Sequence, residues 1–143
     1  MIRRGLVAKR ILLADDHGSV RQLMRTLITQ RQDLQVCAEA ADGVEAVERA
    51  KLTSPDVVVL DLAMGGLNGL DAAEEIRARC PAVQLLAISL HDAGPFYPRL
   101  QVIGVRGFVA KDCLGTELLP AIDAVLNGRK WFPTPRGSSR LAS

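Results

Sequence analysis

The sequence predicts an open α/β domain on a doubly wound, five-stranded parallel sheet, and three observations carry that reading. Short continuous apolar runs alternate with stretches of helical periodicity, the pattern of repeated βαβ units. The runs are rich in β-branched residues and bounded by turn residues, as strands buried on both faces are. Three of them stop at charge: Asp15 and Asp16 follow Ile11-Leu12-Leu13-Ala14, Asp61 follows Val57-Val58-Val59-Leu60, and Lys111 follows Gly107-Phe108-Val109-Ala110. Ligands of open parallel sheets bind beyond the carboxyl ends of the strands, so these charges are expected to converge on one site.

After the first strand, Val20, Leu23, Met24, Leu27 and Ile28 fall at helical spacing, with Ser19 as the expected N-cap. Val36-Cys37-Ala38 reads as a short second strand. Asp42 is placed to cap a helix carrying Val44, Val47 and Ala50, which ends before Ser54-Pro55. Residues 57–60 form the third strand. Asn68 caps a third helix in which Leu70, Ala73 and Ile76 face the sheet, closing before Pro81. Residues 83–88 form the fourth strand, with Ser89 its terminal residue.

The next helix is due between about residues 92 and 103, yet Gly94, Pro95 and Pro98 occupy its first half. Proline inside a helix costs about 3 kcal/mol, so a short or irregular helix starting near Pro98 is expected. Residues 106–110 give the fifth strand. Leu118, Leu119, Ile122, Val125 and Leu126 give a final amphipathic helix, with Pro120 in or just past its first turn and Asn127-Gly128 as its C-cap. Trp131 and Phe132 are expected to pack the chain end onto the domain.

The 143 residues suit one domain, placed at 10–132, with a basic tail at 1–9 and a polar, breaker-rich linker or disordered tail at 133–143. The three cysteines, Cys37, Cys80 and Cys113, are odd in number and lack CxxC spacing. That argues against a disulfide framework or a zinc site and for the cytoplasm. No apolar stretch approaches the roughly 18 residues of a membrane span, and the start lacks the apolar region of a signal peptide. All 16 acids lie between residues 11 and 126, where 10 bases leave a balance of −6. The basic ends, Arg3, Arg4, Lys9 and Arg10 at one side and Arg129, Lys130, Arg136 and Arg140 at the other, read as solvated tails, and no nucleic-acid contact is inferred from them.

Asp15, Asp16 and Asp61 would place three carboxylates in one pocket, and like charges that close call for a cation. Oxygen donors favour a hard ion such as Mg²⁺, or Mn²⁺. Beside it Asp61 could attack phosphorus, with Lys111 and the Ser89 hydroxyl pairing with phosphoryl oxygens. Each residue alone also reads blandly, as a solvated turn, an exposed charge or a loop hydroxyl; in this order on strands one, three, four and five they form a set. An aspartate-based phosphatase would need a second acid two residues after Asp61, where Ala63 stands, and Asp15-Asp16 would repel the phosphate of a flavin nucleotide. His17, beside the pair, reads as a local cap or solvent-facing residue.

These residues resemble the receiver domains of two-component response regulators. Leu13-Ala14-Asp15-Asp16-His17 is similar to the acidic-pair motif and residues 59–64, Val-Leu-Asp-Leu-Ala-Met, to the phosphoacceptor strand. Ala87-Ile88-Ser89 is similar to the switch hydroxyl, and Gly107-Phe108-Val109-Ala110-Lys111-Asp112 to the lysine strand. Ser89-Leu90-His91, Lys111-Asp112 and Asn127-Gly128-Arg129-Lys130-Trp131 resemble the NarL/FixJ subfamily.

The resemblance implies a flavodoxin-like fold of strand order 2-1-3-4-5 with five helices. Asp61 would accept phosphate from a sensor histidine kinase. Asp16, Asp61 and the Ala63 carbonyl would bind Mg²⁺ directly, and Asp15 through water. Ser89 and Phe108 would form the switch pair; many members carry Tyr at the ring position, and Phe108, without the hydroxyl, favours the buried orientation. His91 would modulate hydrolysis of the acyl phosphate. Such a domain catalyses its own phosphorylation and dephosphorylation without being a turnover enzyme. It can form a homodimer and leaves DNA contact and transcription regulation to another domain of its parent. A phosphate-independent pseudo-receiver, acting as a protein interaction module, is the alternative.

Three features depart from the family. Gly65 stands where Pro usually follows Met64, Pro95 and Pro98 disturb the fourth helix, and 11 residues follow Phe132 where NarL/FixJ regulators continue into a helix-turn-helix domain. The expectation is an excised or a stand-alone receiver.

Overall fold

The computed structural model describes residues 7–64, 68–90 and 93–133. Arg3, Arg4, Gly65, His91 and the tail from residue 134 lie outside them. Five parallel strands, β1 (Lys9–Ala14), β2 (Leu34–Ala40), β3 (Val57–Asp61), β4 (Gln84–Ser89) and β5 (Val105–Ala110), are ordered β2-β1-β3-β4-β5. The helices are α1 (Gly18–Thr29), α2 (Gly43–Thr53), α3 (Gly69–Arg79), α4 (Tyr97–Ile103) and α5 (Leu114–Leu126). This is the doubly wound, flavodoxin-like architecture expected from the sequence.

Alternation along the strands builds a core on each face of the sheet. Ile11, Leu13, Val57, Val59, Leu86, Ile88 and Val109 pack with residues of α1 and α5. Leu12, Val58, Leu60, Leu85, Ala87 and Phe108 pack with residues of α2, α3 and α4. Burial on both sides is why the strands read as continuous apolar runs.

The caps follow local chemistry. Asp42 accepts from the Glu45 N–H and Asn68 from the Asp71 N–H, as their positions predicted. The first helix differs: His17, not Ser19, stands at its N-cap, without a side-chain bond. The Asp15 carboxylate takes the His17 N–H at 2.7 Å, turning the chain early, and the His17 carbonyl already accepts from Val20 and Arg21. In the proline-broken segment, a 3₁₀ turn at Gly94–Phe96 leads into the seven-residue α4, where Pro98 occupies the first turn, and Gly104 at φ 106° ends it.

The expectation for Pro120 is corrected. A 3₁₀ turn at Lys111–Cys113 feeds directly into α5, so the helix starts at Leu114, and Pro120 lies in its interior rather than in or just past its first turn. Buried Leu114 anchors that early start.

Gly69 fixes the loop after β3. A Cβ there would lie 2.4 Å from the Asp61 carbonyl oxygen and 2.4 Å from the Leu62 Cα, so the first turn of α3 presses on the backbone that carries Asp61. Only glycine permits that approach.

Candidate functional site

Asp15 follows β1 directly, Asp61 ends β3, Ser89 ends β4, and Lys111 follows β5, so four strands deliver their terminal groups to one edge of the sheet. All four side chains are buried. The Asp15 N–H donates to the Ala40 carbonyl at 3.0 Å, which ties the start of the loop to β2. Its carbonyl accepts from Arg21 Nη1 at 2.6 Å, and Glu39 holds Arg21 at 3.1 Å and Arg25 at 2.7 Å. Asp61 Oδ1 accepts from the Ala63 N–H at 3.0 Å, folding the loop back toward the pocket.

Lys111 joins the two buried acids. Its Nζ lies 3.0 Å from Asp61 Oδ2, a hydrogen bond, and 2.8 Å from Asp15 Oδ2, an ion pair whose alignment falls short of one. Burial alone pushes the Lys111 ammonium down, but its close contacts with Asp15 and Asp61 and their charge outweigh it, so its pKa stands above the ordinary lysine value. In this form of the pocket the lysine already has a task, neutralising carboxylates, which the sequence alone did not assign to it.

Asp16 lies on the solvent side of the pocket. Between it and Asp15 sits the half-exposed His17, whose Nδ1 is 3.1 Å from Asp16 Oδ1, 3.2 Å from Asp15 Oδ1 and 3.5 Å from Lys111 Nζ. The imidazole thus belongs to the constellation rather than to a cap or to bulk solvent alone. The signal available in the sequence was its adjacency to Asp16, and only the early turn into α1 aims it inward.

One ligand atom each from Asp15, Asp16, His17 and Asp61 lies within 4.8 Å of the others. Three carboxylates face one ammonium, and Asp15 Oδ2 is a buried oxygen with no hydrogen-bond donor aligned on it. An oxygen-rich, net negative donor set of this kind fits a hard divalent cation. Ser89 lies in register with Ala110, and Phe108 with Ala87, so the hydroxyl and the ring occupy neighbouring strands. Phe108 is buried, its ring 5.7 Å from that of Tyr97.

A doubly wound α/β fold with paired acids, a strand-end aspartate and a buried lysine at its carboxyl edge defines a class of phosphoacceptor signalling domains. Residues 11–123 match the family described as response regulator receiver domain, and the chain belongs to that family. It is 31% identical over 133 residues to the response regulator GacA of Pseudomonas viridiflava, covering 93% of this chain and 62% of that protein. It is 34% identical over 125 residues to the transcriptional regulatory protein YxjL of Bacillus subtilis, covering 87% and 57%. The chain therefore spans about three-fifths of the length of these relatives.

Among solved structures, a two-component response regulator of the LuxR family from Aurantimonas sp. SI85-9A1 superposes with a TM-score of 0.82 at 39% identity, covering 87% of this chain and 89% of that one. The receiver domain of the response regulator NarL from Mycobacterium tuberculosis does so with a TM-score of 0.80 at 31% identity, covering 86% and 99%. This is a receiver domain of the two-component response regulators, and its acidic pocket fits the phosphoacceptor site of that family. Among the described residues no helix is long and apolar enough to cross a membrane.

Proposed function

We propose that the domain is a phosphorylatable switch in which Asp61 takes a phosphoryl group from the phosphohistidine of a sensor histidine kinase. The observation behind this reading is the burial of the Asp61 and Asp15 carboxylates on the single ammonium of Lys111 at the carboxyl edge of the sheet. In the transfer an Asp61 carboxylate oxygen bonds to phosphorus, the phosphorus–nitrogen bond breaks, and the imidazole leaves with the electron pair. Lys111 then follows the charge from the Asp61 carboxylate onto a phosphoryl oxygen. Ser89, on the neighbouring strand, donates its hydroxyl to another, and Phe108 fills the space behind it.

Asp16, Asp61 and the Ala63 carbonyl would hold Mg²⁺ or Mn²⁺, with Asp15 acting through water. The ion would offset the negative charge that builds between carboxylate and phosphoryl group. The domain accepts a phosphoryl group and later loses it, and so acts as a signal rather than as a turnover enzyme. A cytoplasmic location, a homodimer and a transcriptional output through a further domain of a longer parent complete the proposal; this domain itself contacts no nucleic acid.

Acetyl phosphate with Mg²⁺ should add a single phosphoryl group, read by intact mass. Asp61→Asn and chelation of the metal should each abolish the addition. A wild-type chain that takes no label under these conditions would overturn the reading and leave the phosphate-independent interaction module in its place.

A further inference from the structure

Beyond α5 the chain doubles back across the open edge of β5. Gly128, at φ 75°, turns it, and the Arg129 N–H donates to the Ala124 carbonyl at 2.9 Å. Trp131 then forms a parallel bridge with Gly107: the Phe108 N–H donates to the Trp131 carbonyl at 2.8 Å, and the Trp131 N–H donates to the Arg106 carbonyl at 3.0 Å. Gly107 makes the approach possible, since a Cβ there would lie 2.9 Å from the Trp131 carbonyl oxygen and 3.0 Å from Leu86 Cδ1.

Consecutive residues of an extended segment point to opposite faces of a sheet, and these two do so. Trp131 packs against the α1 and α5 side, where its Nε1 donates to Glu117 Oε1 at 3.2 Å. Phe132 packs against the other side, its ring 5.0 Å from Tyr97. Lys130 Nζ adds a bond to Gln101 Oε1 on α4 at 2.9 Å. Residues 130–132 thus act as a rudimentary sixth strand that ties α4, β5 and α5 together.

Two of its anchors run through Phe108. One is the backbone N–H of Phe108 itself, and the other is the aromatic series Phe108, Tyr97, Phe132, with centroid spacings of 5.7 and 5.0 Å. The Phe108 ring cannot reorient without changing the surface on which Tyr97 rests, and Tyr97 is the surface on which Phe132 rests. We propose that residues 130–132 are a strap whose docking on β5 is set by the Phe108 ring through Tyr97. Phosphoryl transfer to Asp61 then changes how residues 130–132 dock on β5. This rests on the phosphoacceptor reading above. Linkage makes the coupling reciprocal: a partner that lifts the strap alters ligand affinity at Asp61 by the same factor.

Trp131 is the sole tryptophan, so its emission reports the strap alone. Beryllofluoride with Mg²⁺ is added to the full chain while amide shifts of Asp61 and Lys111 report the pocket. The expected result is a shift of both the pocket amides and the Trp131 emission. Tyr97→Leu and Phe132→Ala should keep the amide shifts and lose most of the emission response. Gly107→Ala should red-shift the emission before any ligand is added, with circular dichroism confirming that the domain stays folded. Pocket amides that shift while Trp131 emission stays constant would overturn the strap and leave the phosphoacceptor reading intact. Tyr97→Leu and Phe132→Ala chains that both retain the full emission response would also overturn it. Pocket amides that do not shift at all would overturn the phosphoacceptor reading, and the strap with it.

Discussion

Lys111→Met keeps an unbranched apolar stem at residue 111 and removes its charge, which isolates the electrostatics of the pocket. In the native domain Nζ lies 2.8 Å from Asp15 Oδ2 and 3.0 Å from Asp61 Oδ2, and both acids are buried. A ligand oxygen of Asp15 lies within 4.8 Å of one of Asp61. At an effective dielectric of about 20, two unit charges at that distance repel by about 3.5 kcal/mol. Removing one partner from a buried charge cluster costs about 3–5 kcal/mol in general, so a loss of about 3–4 kcal/mol is expected at pH 7 without metal.

The same geometry predicts what restores the variant. A divalent cation replaces the missing ammonium, and at a concentration 100 times Kd its binding adds about 2.7 kcal/mol to stability. In the wild type Lys111 competes for the same oxygens, so the Mg²⁺ increment should be larger in the variant. Urea unfolding followed by circular dichroism, with and without Mg²⁺, measures all four stabilities. pH supplies a further check. The folded-state pKa of Lys111 is raised above 10.5, so its contribution is fully present below that value and is lost as pH rises through the folded value. The gap between the two proteins should therefore close only in strong alkali. A variant as stable as the wild type without metal, or one with the same Mg²⁺ increment, would refute the reasoning.

Other perturbations test neighbouring parts of the site. Gly69→Ala drives a Cβ into the Asp61 carbonyl and Leu62 backbone and should cost about 1–3 kcal/mol, read by urea melts, with a fall in acetyl phosphate labelling. Glu39 is held below the usual carboxylate range, chiefly by its hydrogen bond from Arg25, against the cost of burial. Its contribution is present above pH 4.5 and lost as pH falls through the lower folded value, so the stability gap between wild type and Glu39→Gln should vanish in acid. His17→Ala removes the one nitrogen from the candidate metal-ligand group Asp15, Asp16, His17 and Asp61 and should weaken Mn²⁺ more than Mg²⁺, measured by calorimetric titration, because imidazole suits transition metals better than Mg²⁺.

The strand ends were legible because burial on both faces leaves an unbroken apolar run, and a charge can stand only where that run leaves the core. The caps at Asp42 and Asn68 were legible because each acts on a backbone N–H three residues away. What stayed hidden depends on distances across the sheet. The convergence of Lys111 with the acids was expected from the strand ends; what the linear order does not say is that its Nζ, reaching past β4, pairs directly with the carboxylates of both Asp61 and Asp15. The interior position of Pro120 was missed because Leu114, which begins its helix, lies before the apolar repeat becomes visible.

Trp131 packs the chain end as expected, but its bridge to Gly107, like the turn that aims His17, is too short to leave a periodic trace. His17 contacts Lys111 Nζ, and Trp131 contacts the backbone of Phe108. Periodicity records what is packed and stays packed. In a switch, residues that change partners between states stand outside that record, so the positions that set how this receiver differs from its relatives should be sought among short, aperiodic contacts beside the strand ends.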